Sequence, residues 1–232
     1  MLKRIALFSL LSCTSAMIFA NVETLKNNLN QQYPNIHVSN IQATEMTGLY
    51  SANLDNQIIY LDENAQHMFI GSMVRLKDQK NLTKDLVLKQ NSIDWKQLPL
   101  KDAIKTVKGN GKQQLAIFSD PNCPYCKKLE AELDKLNDVT IYTFIYPLKA
   151  QSITVSKSIW CDPNQAYAWK NLLQKNVQPK EKTCANPIER NLALGRKLGV
   201  EGTPTLIFET GFKMTGVRSA EEIQLIWKEL GL

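Results

Sequence analysis

Apolar and polar positions alternate differently in the two parts of this chain. Residues 36–41, 48–52, 57–61, 67–70 and 73–76 are short runs of strand character, and Asn53-Leu54-Asp55-Asn56 and Asp62-Glu63-Asn64 between them have turn composition. Val22, Leu25 and Leu29 precede them at helical spacing, and Tyr33-Pro34-Asn35 breaks that helix. The pattern predicts a small, mostly antiparallel α+β unit over residues 21–80. Residues 81–102 then read as a linker, partly helical, with Leu82, Leu86, Ile93 and Trp95 scattered among polar positions. Leu98-Pro99-Leu100 opens a short helix carrying Ala103, Ile104 and Val107, closed by Gly109-Asn110-Gly111.

Residues 103–232 follow an α/β rhythm. A strand over 113–119 leads to a helix from about Cys123 to Leu136, and a second strand over 139–146 ends at Pro147. Three helical stretches come next, at 153–160, 166–173 and 188–198. The last is expected to begin with Asn186 as cap, Pro187 in the first turn and Glu189 closing a capping box. Residues 205–208 and 213–216 form a hairpin around Thr210-Gly211, and Ser219 caps a final helix bearing Ile223, Ile226, Trp227 and Leu230.

The chemistry concentrates where the first of these strands meets its helix. Phe118-Ser119-Asp120-Pro121-Asn122-Cys123-Pro124-Tyr125-Cys126 places two cysteines three apart at a helix start. Unpaired backbone N–H groups and partial positive charge favour a thiolate there. Cys123 is therefore the expected attacking thiol, and Cys126, one turn further in, the resolving thiol that frees a mixed disulfide. A CxxC can also hold zinc, but Cys161 and Cys184 are not a second CxxC, and His37 and His67 lie far upstream. No metal and no cofactor is expected. A purely structural CxxC bridge closes too short a loop to constrain the unfolded chain.

The first twenty residues change the global picture. Lys3 and Arg4, an apolar run and a small residue at Ala20 have the form of a signal peptide, with cleavage expected after Ala20. Leu10-Leu11-Ser12-Cys13 also has a partial likeness to a lipoprotein box. Losing that segment lowers the formal net charge from +6 to +4, with the remaining charges interspersed, so no nucleic-acid partner is expected. Four cysteines remain, an even number for an oxidising compartment. Three pairings are open, and the one taken here joins Cys123 to Cys126 and Cys161 to Cys184, the latter as a structural staple. A 21–80 unit of this size and without disulfides is expected to find a partner surface, a second copy of itself. Gly202-Thr203-Pro204-Thr205, just before a strand, is expected to hold a cis Thr203-Pro204 bond that offers its backbone to an extended substrate.

These residues together resemble the DsbC/DsbG family of periplasmic disulfide isomerases. The likeness runs through 118–126, Trp160-Cys161 with Cys184, Gly71 after Met68-Phe69-Ile70, and Leu194-Gly195-Arg196-Lys197-Leu198-Gly199-Val200-Glu201-Gly202-Thr203-Pro204. It implies an N-terminal dimerisation domain, a linker helix and a thioredoxin fold with a helical insertion. It also implies a V-shaped homodimer whose apolar cleft holds misfolded disulfide-containing secreted proteins, a periplasmic location and a membrane electron donor of the DsbD type. The family's nucleophile, resolving cysteine and cis-proline fall on Cys123, Cys126 and Pro204, with Thr203 and Tyr125 beside them, and its structural disulfide on Cys161 and Cys184. The Pro-Tyr between the cysteines also occurs in the DsbG branch, and Ile117 stands where thioredoxin keeps a buried acid. An isomerase is therefore the first reading, with a DsbG-like reductase of single oxidised cysteines and a thiol-independent holdase as its alternatives.

Overall fold

A computed structural model of the protein describes residues 14–55 and 57–232. The charged start and apolar run of the expected signal peptide, Cys13, and Asn56 of the first turn lie outside the described residues. The chain divides into two compact units between Leu88 and Lys89.

In the first unit, helix α1 (Thr14–Gln32) runs through the expected cleavage point after Ala20. Strands β1 (Ser39–Ala43), β2 (Leu49–Leu54), β3 (Gln57–Asp62) and β4 (Met68–Ile70) form an antiparallel sheet in that order. Leu25 and Leu29 of α1 pack on Tyr50, Ala52, Ile59 and Leu61, so one face of the sheet and one stripe of the helix form the core. β1 starts three residues later than its apolar run. Asn40 takes φ +52° and the register breaks between Ser39 and Gln42, a bulge that pattern alone does not reveal. Residues 73–76 do not join this sheet either: β5 (Val74–Arg75) pairs with β6 (Lys80–Asn81). Helix α2 (Leu82–Gln90) follows and crosses the division between the units.

The second unit is built on a five-stranded sheet in the order β11-β10-β8-β9-β7. Its strands are β7 (Ile104–Val107), β8 (Gln113–Ser119), β9 (Val139–Ile145), β10 (Thr205–Phe208) and β11 (Lys213–Thr215). β8 and β9 are parallel, and the other pairs antiparallel. Residues 103–107 correct the expected helix: after a single 3₁₀ turn at Leu100–Asp102, Ile-Lys-Thr-Val extends along β9. Its β-branched residues fit a pleated edge, with Ile104 buried and Lys105 exposed. The segment before it is tied to the same unit, because Ile93 N–H donates to Gly211 O and Lys213 N–H to Asn91 O.

Side chains alternate along β8, so both faces of the sheet are covered. Leu115 and Ile117 pack with Leu129 and Leu133 of α3 (Pro124–Leu133) and with Ile223 and Trp227 of α7 (Ala220–Glu229). Ala116 and Phe118 face Phe144, Tyr146, Val200 and Ile207 on the other side. Helices α4 (Ala150–Trp160) and α5 (Gln165–Lys175) sit between β9 and α6 (Ile188–Lys197) in the chain. Ser219 caps α7 as expected, and with Glu222 it completes a capping box. At α6 the N-cap is Pro187 rather than Asn186, whose side chain instead accepts from the Ile188 N–H.

Candidate active site

Cys123 is the N-cap of α3, extended at φ −83° and ψ 121°, and Pro124 takes the first helical position, where a missing N–H costs nothing. The helix then carries Cys126, Leu129 and Leu133 on its buried side, so the turn that aims Leu129 into the core also draws Cys126 inward. Cys123 and Cys126 are free thiols within a cluster that includes Ile104, Ile145, Ile159, Trp169 and Ile188. Tyr125 between them is exposed, with the Lys128 ammonium 5.6 Å from its ring centroid.

The Thr203-Pro204 peptide bond is cis. It lies against the first cysteine: the Cys123 thiol donates to the Thr203 carbonyl oxygen at 3.3 Å. Thr205 Oγ1, which donates to Gly202 O at 2.7 Å, and the Gly216 N–H, which donates to Pro204 O at 2.8 Å, hold this loop at the start of β10.

Burial pushes the Cys126 thiol up to about 12, and the nearby Cys123 pushes the same way. The Ser119 side chain, the Asp120 backbone and the Thr203 side chain pull the other way without cancelling that shift. The two sulfurs thus have unequal settings: one at a helix start beside a backbone carbonyl, the other sealed and protonated near neutrality.

Asp120 and Ser119 were not read from the sequence as part of the site. Asp120 is 1% exposed and fully engaged: Oδ1 accepts from the Asn122 N–H at 2.8 Å and the Ser152 hydroxyl at 2.7 Å, and Oδ2 from the Leu148 N–H at 2.8 Å. Its carbonyl oxygen accepts from the Cys123 N–H at 3.1 Å. An acidic residue two positions after the apolar run 115–118 is a signal that could have marked it, since the chain is still inside the fold at that point.

Cys161, the C-cap of α4, is bonded to Cys184, with their Cα atoms 5.7 Å apart. The structure therefore gathers Cys123, Cys126, Thr203, Pro204 and Tyr125 at one end of the sheet. Among the described residues no cluster of three or more His, Cys, Asp or Glu side chains is arranged to hold a metal ion.

Two families match the chain. The thioredoxin-like domain matches residues 100–230, and the disulfide bond isomerase protein N-terminal domain matches residues 16–84. The probable thiol:disulfide interchange protein DsbC of Bordetella parapertussis is 32% identical over 203 residues, covering 87% of this chain and 72% of that protein. The thiol:disulfide interchange protein DsbC of Salmonella typhimurium is 26% identical over 239 residues, covering 99% and 97%. Among solved structures, a disulfide interchange protein from Neisseria gonorrhoeae is 38% identical and superposes with a TM-score of 0.55, over 57% of this chain and 97% of that one. A thioredoxin-like domain carrying this dithiol, preceded by an N-terminal unit matched to disulfide isomerases, places the chain in the DsbC family of thiol:disulfide interchange proteins.

Proposed function

We propose that the protein is a disulfide isomerase in which Cys123 is the nucleophile and Cys126 the resolving thiol. The Cys123 thiolate attacks a wrong disulfide in a client, forming a mixed disulfide and releasing one client thiolate. A client thiol then attacks the mixed disulfide to leave a rearranged client, or Cys126 attacks it to leave a reduced client and an oxidised dithiol. The observation that carries this reading is the asymmetry of the two thiols: Cys123 lies at the start of α3 beside the Thr203 carbonyl oxygen, whereas Cys126 is buried on the inner side of the helix, its thiol pushed up to about 12. Near neutral pH it is almost entirely protonated and slow to attack, which gives client thiols time to complete the rearrangement. Pro204, Thr203 and the exposed Tyr125 are the groups that meet the client, and the Cys161–Cys184 bond is structural.

The remaining parts of the reading follow from the same role. β4 is an edge strand, paired on one side only, with Met68, Phe69 and Ile70 exposed, and Phe69 and Ile70 line a cavity of about 270 Å³ together with Tyr60, Gly71 and Met73. An apolar edge of that kind is a pairing surface, and a second copy of residues 21–80 is its partner. Residues 1–20 are the cleaved signal, 81–102 the linker and 103–232 the catalytic domain. The clients are misfolded disulfide-containing secreted proteins in the periplasm, and a membrane donor of the DsbD type keeps the dithiol reduced.

The test incubates the reduced mature protein with a scrambled multi-disulfide substrate, without added oxidant or reductant. Native activity should return while the number of substrate disulfides stays constant, and Cys123→Ser should abolish the effect. Net loss of disulfides without recovery makes the protein a reductase. Aggregation suppressed equally by Cys123→Ser, with no thiol exchange, makes it a holdase.

A further inference from the structure

We propose that Asp120 is a positioning residue of the dithiol, required for the step in which Cys126 closes on Cys123. The inference rests on the roles proposed above for the two cysteines. Every oxygen of Asp120 is committed. Its carbonyl oxygen holds the Cys123 N–H, and its carboxylate collects the Asn122 N–H, the Leu148 N–H and the Ser152 hydroxyl. The bond to Asn122 folds the turn that leads into Cys123. The bonds to Leu148 and Ser152 fix that turn to the chain after β9 and to the first turn of α4, where Ser152 is fully buried. Asn122 Nδ2 also donates to Ser152 Oγ at 3.1 Å, closing a ring of three side chains around the turn. Releasing one of these carboxylate bonds therefore loosens the turn that sets Cys123 against Cys126.

The two thiol steps depend on this turn unequally. Attack by Cys123 on an incoming disulfide needs an accessible sulfur at a helix start. Attack by Cys126 on Cys123 is an intramolecular displacement in which both sulfurs must line up, and misplacement by about 1 Å costs such a step up to about a hundredfold.

Asp120→Asn preserves shape and removes one acceptor. With its oxygen toward Asn122 and Ser152, its NH₂ meets the Leu148 N–H; turned over, it meets the Asn122 N–H. Either way one anchor of the turn is lost.

The experiment uses the full mature protein, reduced, with glutathione disulfide as the probe. In the first step the Cys123 thiolate breaks the S–S bond of the probe, forms a Cys123–glutathione disulfide and releases one glutathione thiolate. In the second, Cys126 loses its proton, attacks the Cys123 sulfur and releases the second glutathione thiolate, which takes up a proton. The dithiol is oxidised to a disulfide, and the probe is reduced to two glutathiones. Rapid acid quenching and mass spectrometry follow the adduct. In Asp120→Asn the bimolecular step should stay within about threefold of the natural protein, while the first-order closure slows by about tenfold or more and the adduct accumulates. Ser152→Ala, which removes one donor to the same carboxylate, should slow closure in the same direction by about threefold and serves if Asp120→Asn does not fold. Unchanged closure in the folded variants, or equal slowing of both steps, overturns the assignment. Failure of Cys123 to form an adduct in the natural protein overturns the functional reading and this inference with it.

Discussion

The ring of Tyr146 fills the space against α6 that any side chain at Gly195 would need: a β-carbon on Gly195 would stand 2.3 Å from Tyr146 Cε2. The ring is buried, the Tyr146 backbone N–H donates to Ser119 O at 2.8 Å, and the hydroxyl donates to Val200 O at 3.1 Å. Tyr146 thus joins the strand leading to Cys123 with the loop leading to Thr203. Gly195→Ala should gain about 1 kcal/mol of helix propensity and lose about 1–3 kcal/mol by overpacking. Thermal unfolding is expected to fall by a few degrees, since about 1 kcal/mol corresponds to roughly 2–4 °C at this size. The double variant Gly195→Ala/Tyr146→Leu should recover part of the loss relative to the sum of the two single changes. A Gly195→Ala protein as stable as the natural one would show that the ring gives way freely.

The segment 176–187 has no regular secondary structure between α5 and α6. It is tied back by the Cys161–Cys184 bond, by Lys182 Nζ 2.8 Å from Asp162 Oδ2, and by the Lys182 N–H donating to Ser158 Oγ at 3.3 Å. The two polar ties are partly exposed and add little alone. The disulfide spans 23 residues, for which chain entropy gives about 3 kcal/mol. The Cys161→Ala/Cys184→Ala protein should lose about that much in urea unfolding, with adduct formation at Cys123 retained. Loss of adduct formation in a folded double variant would give the pair a part in the exchange itself.

What the sequence revealed and what it hid follow the range of the interactions involved. The dithiol, the cap at Ser219 and the strands over 113–119 and 139–146 are short-range patterns, and each stands in the structure where the spacing puts it, the second strand ending one residue early at Ile145. Residues 103–107 were misread because their apolar spacing serves a helix as well as an edge strand. What decides is Asp102, whose carboxylate binds Arg190 through two bonds of 2.8 Å and whose carbonyl oxygen accepts from Asn191 Nδ2, both partners on α6. Partners 88 and 89 positions away leave no trace in local periodicity. Asp120 was missed for the same reason, since Leu148 and Ser152 become its neighbours only when α4 is in place. Gly195 was not singled out in the sequence, and the ring of Tyr146, distant in sequence, is what requires a glycine in this helix.

Glu130, on the buried side of α3, gives the fold a pH dependence opposite to that of its paired acids. Burial raises its carboxyl to about 7, against the Trp169 indole N–H that donates to Oε1 at 2.7 Å. Asp134 raises it further, and Lys170 and Lys108 lower it; Lys108 reaches the carbonyl oxygens of Leu133 and Asp134 at the end of the helix. In the unfolded chain the same carboxyl titrates near about 4.3. Below that value both states carry the proton and the group is neutral for stability. Between about 4.3 and 7 the unfolded chain releases its proton while the folded protein keeps it, so stability falls as pH rises, by of order 1–3 kcal/mol in all. Asp102, Asp62, Asp78 and Asp162 are held below their ordinary range, and their contributions are lost only as pH falls through acid values. Glu130→Gln keeps an oxygen for Trp169 and removes the charge. Its stability relative to the natural protein should therefore rise between pH 4.5 and 8 by about that same 1–3 kcal/mol, as read by urea unfolding at several pH values. A difference that stays constant across the window would mean that Glu130 titrates alike in the folded and unfolded chains.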